Sequence, residues 1–246
     1  MKKRSLVGIL VAFLVLYVVF FGTPLIRIES KERVIEMKAS DEDYSREVEI
    51  FLPAVEENEE GIMALLKVKL VEGEGKTLLE IDDISFLKNT QESIRVSKRV
   101  SEKVTNIETS NYDIIYSIDA NASVIEGPSA GPAMAVATSF ALLNESLNHS
   151  VIISGYLQED GTVSKVSGIL AKAEVAKKNS IKLFLVPLGQ RAQVKTETRK
   201  VCETIGLTSY CETETTSKRV DIQEEIGIEV IEVGSISEAL EYFIMN

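Results

Sequence analysis

From Ser5 to Ile26 the chain runs for 22 residues without a charge, and beyond Val48 its apolar positions break into short alternating and helical runs. As a helix rising 1.5 Å per residue, Leu6 to Ile26 spans about 31 Å, the thickness of the hydrocarbon core of a bilayer. Lys2, Lys3 and Arg4 precede it. A cleaved signal peptide has a shorter apolar region, roughly 7 to 15 residues, and a small-x-small cleavage site. The run here ends Phe20-Phe21-Gly22-Thr23-Pro24, which offers no such site. The pattern predicts an uncleaved single-pass anchor with its short N-terminus in the cytoplasm and everything after it outside, because basic residues stay on the cytoplasmic side. Arg27 to Arg46 is charged without a clear period and reads as a stalk or linker. The predicted organisation is therefore residues 1–26 as tip and anchor, 27–46 as linker and 47–246 as one folded domain.

Within that domain Val48 to Val55 and Ala64 to Val71 have strand character, and Glu72-Gly73-Glu74-Gly75 turns the second into Lys76 to Ile81. Asn89 to Val104 carries Ile94, Val100 and Val104 at helical spacing. Strand and helix then alternate: strand Asp113 to Ile118, helix Ser129 to Asn144, strand Val151 to Tyr156, helix Ser167 to Lys178, strands Leu183 to Pro187 and Glu229 to Val233. A last helix opens with the capping box Ser235-Ile236-Ser237-Glu238. This is an α+β domain of about 190 residues, long enough to bury a sizeable core.

Charge narrows the partners. With Lys2, Lys3 and Arg4 set aside, 24 basic residues face 38 acidic ones, so nucleic acid is excluded as a partner. Glu56-Glu57-Asn58-Glu59-Glu60 reads as an exposed acidic turn. One histidine and two cysteines give no metal-ligand constellation, and no Walker-type phosphate loop occurs in the chain, so no cofactor, metal or ATPase motor is expected. Cys202 and Cys211, with eight residues between them, suit a local disulfide if the domain lies outside the membrane and stay thiols if it does not. Asn121, Asn144 and Asn148 each begin an N-x-S/T triplet, a glycosylation acceptor pattern that also arises by chance.

The candidate chemistry sits in Gly127-Pro128-Ser129-Ala130-Gly131. A G-x-S-x-G string also describes the nucleophile elbow of α/β-hydrolases, but that elbow needs an apolar strand before it and a late histidine. Asp119 to Glu126 reads as a loop, and His149 follows the same helix that the serine opens. Ser129 either caps that helix or is a nucleophile. A base for it is available in Lys172, which lies three residues after Ile169 and four before Ala176, on the inward stripe of its helix. Burial disfavours the ammonium form and makes such a lysine basic enough to take a serine proton. The alternative is a lysine that snorkels to water. Lys177 and Lys178 close the helix, where cations suit the macrodipole.

Taken together, Gly127 to Gly131, Val151-Ile152-Ile153-Ser154-Gly155, Gly161-Thr162-Val163, Val166 to Lys172, Ile181 to Pro187 and Gly227 to Phe243 resemble, in order, the proteolytic domain of Lon-type proteases. The resemblance implies a ribosomal protein S5 domain 2-like α+β fold, Ser129 as the catalytic serine, Lys172 as the catalytic lysine, and Ser154 in the place of a supporting threonine. It also implies a possible homo-oligomer, since Lon proteolytic domains form hexamers. Leu170 stands where the family has another lysine, and Pro132 where it has an aliphatic residue. The stretch from Leu188 to Glu225 is longer than the family pattern. Backbone amides around Gly127 to Ala130 are candidates for an oxyanion hole.

The expected function is a membrane-anchored, ATP-independent serine endopeptidase with a Ser-Lys dyad, acting on unfolded or membrane-proximal polypeptides. Its rivals are a non-catalytic membrane-tethered peptide-binding or assembly module on the same fold, and an amidase or esterase for a small acyl substrate.

Overall fold

The computed structural model describes residues 45–56, 60–80, 85–86, 88–120, 124–125, 128–205 and 208–245. The expected anchor at residues 1–26, the linker up to residue 44, most of the acidic turn and Asn121 lie outside them. No helix among the described residues is long and apolar enough to cross a membrane.

Strand β1 (Arg46–Val55) starts one residue inside the expected linker and pairs antiparallel with β2 (Gly61–Glu72), from Arg46 opposite Leu70 to Val55 opposite Gly61. A glycine-containing turn leads to β3 (Thr77–Leu79), and β4 (Ser85–Phe86) precedes the helix α1 (Lys88–Thr105). Strand β5 (Tyr112–Asp119) completes a four-stranded sheet in the order β1-β2-β5-β3, antiparallel except for β3 against β5. Ala64, Leu66, Val68 and Leu70 of β2 and Ile114, Tyr116 and Ile118 of β5 are buried. That period of two is the mark of a sheet with one covered face.

The cover is α2 (Gly131–Leu143), which follows β6 (Val124–Ile125) and a short 3-10 turn at Pro128–Ala130. Every residue of α2 from Gly131 to Leu142 is buried. A helix apolar all round belongs in a core, and α2 has the sheet on one side and α1 on another. Its polar residues are spent inside: Tyr116 Oη and Thr138 Oγ1 lie 2.8 Å apart, and Thr138 Oγ1 donates to the Met134 carbonyl. Ser93, Ser97 and Ser101, spaced by four along α1, are the small residues that face α2. Ser97 Oγ donates to the Gly131 carbonyl at 2.8 Å and Ser101 Oγ to the Ala135 carbonyl at 2.9 Å. The first turn of α2 is thereby held in place two residues after Ser129.

The expected strand Val151 to Tyr156 is broken. β7 (Val151–Ile153) ends at Ser154-Gly155, and β8 (Tyr156–Leu157) turns away to pair with β9 (Val163–Ser164). The next helix, α3 (Ile169–Lys178), begins two residues later than the sequence pattern gives. The reason is Gly168, whose φ of 72° precludes helical continuation backwards, and where a Cβ would stand 2.8 Å from Val55 Cγ2. β10 (Leu183–Pro187) pairs parallel with β7, and with a later strand described next.

The stretch after Leu188 is the largest departure from expectation. It forms a two-stranded antiparallel hairpin, β11 (Ala192–Ile205) and β12 (Thr208–Asp221), with Cys202 directly opposite Cys211 and joined to it in a disulfide. The short α4 (Ile222–Ile226) is capped by Asp221, whose carboxylate accepts from the Gln223 and Glu224 amides. β13 (Glu229–Val233) then completes a parallel sheet in the order β13-β10-β7. In the final helix, α5 (Ile236–Phe243), Ser235 accepts from the Glu238 N–H as the capping box requires, while Glu238 reaches back to the Gly234 N–H at 2.8 Å.

Candidate active site

Ser129 is the middle residue of the 3-10 turn that feeds α2. The cap position of α2 is Ala130, with no side-chain cap hydrogen bond, and Pro132 sits in the first turn, where its missing N–H has no partner to lose. The Ser129 hydroxyl is therefore not the cap of α2. Its backbone is fixed from the other side of the site: the Ser129 carbonyl accepts from the Gly155 N–H at 3.2 Å and from Ser154 Oγ at 3.4 Å. The break in the β7 strand is what turns these two donors toward it.

Lys172 lies one turn into α3, its N–H bonded to the Gly168 carbonyl, and it is only 4% exposed. Ile169, Ala173, Val175 and Ala176 share its buried face. Its Nζ donates to Ser154 Oγ at 3.1 Å, and Ser154 is fully buried. Burial pulls the Lys172 pKa down from 10.5 to about 8, because removal from water penalises the ammonium form. Lys172 does not snorkel. In its neutral form the amine gives one hydrogen to Ser154, which passes its own to the Ser129 carbonyl. The nitrogen lone pair is then left for an incoming proton.

Ser129 and Lys172 line one cleft of about 300 Å³, together with Ala54, Val55, Pro128, Tyr156, Lys165, Val166 and Ser167. Of the amides named as oxyanion-hole candidates, Gly127 lies outside the described residues and Pro128 has no N–H. Ser129 and Ala130, at the N-terminal end of α2, are the ones that remain. His149 lines a different cleft with Glu47, Glu49 and Glu145 and shares no residue with the first.

A chain with a turn-borne serine, a buried lysine and a hydroxyl between them matches the model of the Lon protease (S16) C-terminal proteolytic domain over residues 61–221. The chain belongs to that family. It is a serine protease family, and the mixed α/β architecture agrees with its proteolytic domain. The Archaeal Lon protease of Methanothermobacter thermautotrophicus is 30% identical over 107 residues, covering 44% of this chain and 17% of that relative. The Lon protease of Desulforamulus reducens is 28% identical over 103 residues, covering 42% of this chain and 12% of the relative. The chain thus spans less than a fifth of the length of these Lon proteases. The family match includes the hairpin and stops before α4, β13 and α5.

The cleft walls hold residues that sequence patterns do not single out. Ala54 and Val55 come from the end of β1 and carry no chemistry of their own. Tyr156 is 45% exposed, and its only signal is an aromatic residue straight after the strand break. Ser154→Ala deletes the acceptor of the Lys172 amine and is expected to lower kcat by about ten- to hundredfold without abolishing turnover. Steady-state kinetics on a peptide substrate check this, and an unchanged kcat would remove Ser154 from the site.

Proposed function

We propose that this chain is a membrane-anchored serine endopeptidase in which Ser129 is the nucleophile and Lys172 its general base. In the first step Lys172 takes the Ser129 Oγ proton as the oxygen bonds to the scissile carbonyl carbon. Lys172 returns that proton to the leaving amine as the C–N bond breaks, and water then hydrolyses the Ser129 ester by the reverse sequence. The single observation that carries the reading is the buried Lys172 amine, held by Ser154 in the cleft that Ser129 also lines. No step requires a nucleotide, and the substrates are unfolded or loosely held polypeptides, which can present an extended stretch to the cleft. The anchored, extracytoplasmic placement is supported by the uncharged run Leu6 to Ile26 behind Lys2-Lys3-Arg4 and by a disulfide, which belongs to an oxidising compartment.

Full-length protein incubated with a denatured protein should yield mapped internal cleavages that are absent with Ser129→Ala, and a fluorophosphonate should label Ser129. Cleavage of small esters with no attack on the denatured protein would favour the esterase reading. Labelling of neither would favour a binding module. Carbonate-washed membranes should retain the chain, with its domain open to protease added outside intact cells.

A further inference from the structure

Gln190 sits in the connection between β10 and β11, is 7% exposed, and is not among the residues that line the cleft. Its side-chain amide meets one residue twice. Oε1 accepts from the Val166 N–H at 3.0 Å, and Nε2 donates to the Val166 carbonyl at 2.6 Å. A donor and an acceptor side by side are what a neighbouring strand would present, so this amide stands in for a strand partner. Gln190 is itself held, its N–H by the Pro187 carbonyl at 3.1 Å and its carbonyl by Gln193 Nε2 at 2.8 Å.

Peptide planarity fixes what this does to the neighbours. In a trans peptide the carbonyl of one residue and the N–H of the next point in opposite directions, and no cis peptide occurs among the described residues. Because the Val166 N–H points at Gln190, the Lys165 carbonyl points away from it. Because the Val166 carbonyl points at Gln190, the Ser167 N–H also points away. Lys165, Val166 and Ser167 line the cleft beside Ser129 and Lys172. No hydrogen bond from another described residue reaches the Lys165 carbonyl or the Ser167 N–H. One acceptor and one donor on the same side of a short segment are the edge to which an extended peptide adds as a strand.

We propose that Gln190 is a positioning residue that holds the Lys165–Ser167 segment so that its outer backbone edge pairs with the main chain of an extended polypeptide substrate. The inference rests on the peptidase reading above and adds which backbone edge takes the substrate and which side chain holds that edge in place.

The test separates peptide binding from the chemistry at Ser129. Gln190→Glu keeps the shape and the acceptor for the Val166 N–H, but sets a carboxylate oxygen against the Val166 carbonyl. In the full-length Ser129→Ala chain, adding Gln190→Glu is expected to weaken the Kd for a fluorescent unfolded peptide by about tenfold. In the chain with Ser129 intact, Gln190→Glu should change the rate of labelling by a small fluorophosphonate by less than about threefold, since that reagent does not span the edge. Single N-methylations along the peptide, measured on Ser129→Ala alone, should identify one amide whose methylation costs about tenfold in Kd, and that penalty should vanish in Ser129→Ala/Gln190→Glu. An unchanged Kd in the double variant overturns the inference. So does labelling that falls in step with affinity, or an N-methyl scan with no sensitive amide, which needs no change at Gln190. Failure of wild-type Ser129 to label would overturn the peptidase reading and leave the peptide affinities to decide this one.

Discussion

Ser129→Ala and Lys172→Ala are each expected to lower peptidase turnover by at least about 10⁴-fold, and the double variant should be no worse than either, because both remove the same step. Lys172→Arg should be equally inactive, since a guanidinium stays protonated and cannot accept the serine proton. The more telling variant is Lys172→Met. At neutral pH the folded protein buries an amine that the unfolded chain keeps protonated in water, and lowering its pKa from 10.5 to about 8 costs the fold on the order of 3 kcal/mol. Methionine fills similar space without that cost. Lys172→Met should therefore be inactive and more stable, by up to about 3 kcal/mol at pH 7, in urea denaturation. The sign follows from linkage: between the folded pKa and 10.5 the unfolded chain binds the extra proton, so wild type regains this stability as pH rises through that window. A destabilised Lys172→Met would mean that the amine contributes to the fold rather than costing it stability.

The second large effect is on pH. Only the neutral amine can act as base, so kcat/KM should fall about tenfold for each pH unit below 8 and level off above it. His149→Ala should leave that profile unchanged, because His149 lies in another cleft. A profile that breaks near the ordinary histidine range and disappears in His149→Ala would replace lysine with histidine as the base. The measurement is kcat/KM for a short peptide from pH 5.5 to 9.5.

The face of α3 that carries Lys172 is legible in the chain, because Ile169 and Ala176 fix the orientation of a short helix whatever lies across from it. The core strands are legible for the same reason: β2 and β5 bury one face each. Ser154 is less so, since its role depends on a carbonyl 25 residues away and on a strand break that no periodicity announces. The resemblance to Lon supplies that residue where pattern does not. The hairpin β11–β12 is not legible as strands. Among its described side chains Val194 and Tyr210 are 66% and 63% exposed while Val220, at the base, is buried, so no regular alternation runs along the strands. Gln190 escapes altogether. Its partner is backbone rather than side chain, and a backbone carries no letter in the sequence.

The hairpin raises a matter of self-preservation. If the chain cleaves extended polypeptides as proposed above, its own two 14-residue strands are a ready target for its neighbours. What keeps that target from autolysis is that each strand already spends one edge on the other. To enter a cleft beside Ser129 a strand would first have to peel away, and the Cys202–Cys211 bond ties the two together near the far end, so that peeling cannot begin there and run inward. Exposure and susceptibility are thus uncoupled in this segment, by pairing and a crosslink in place of burial.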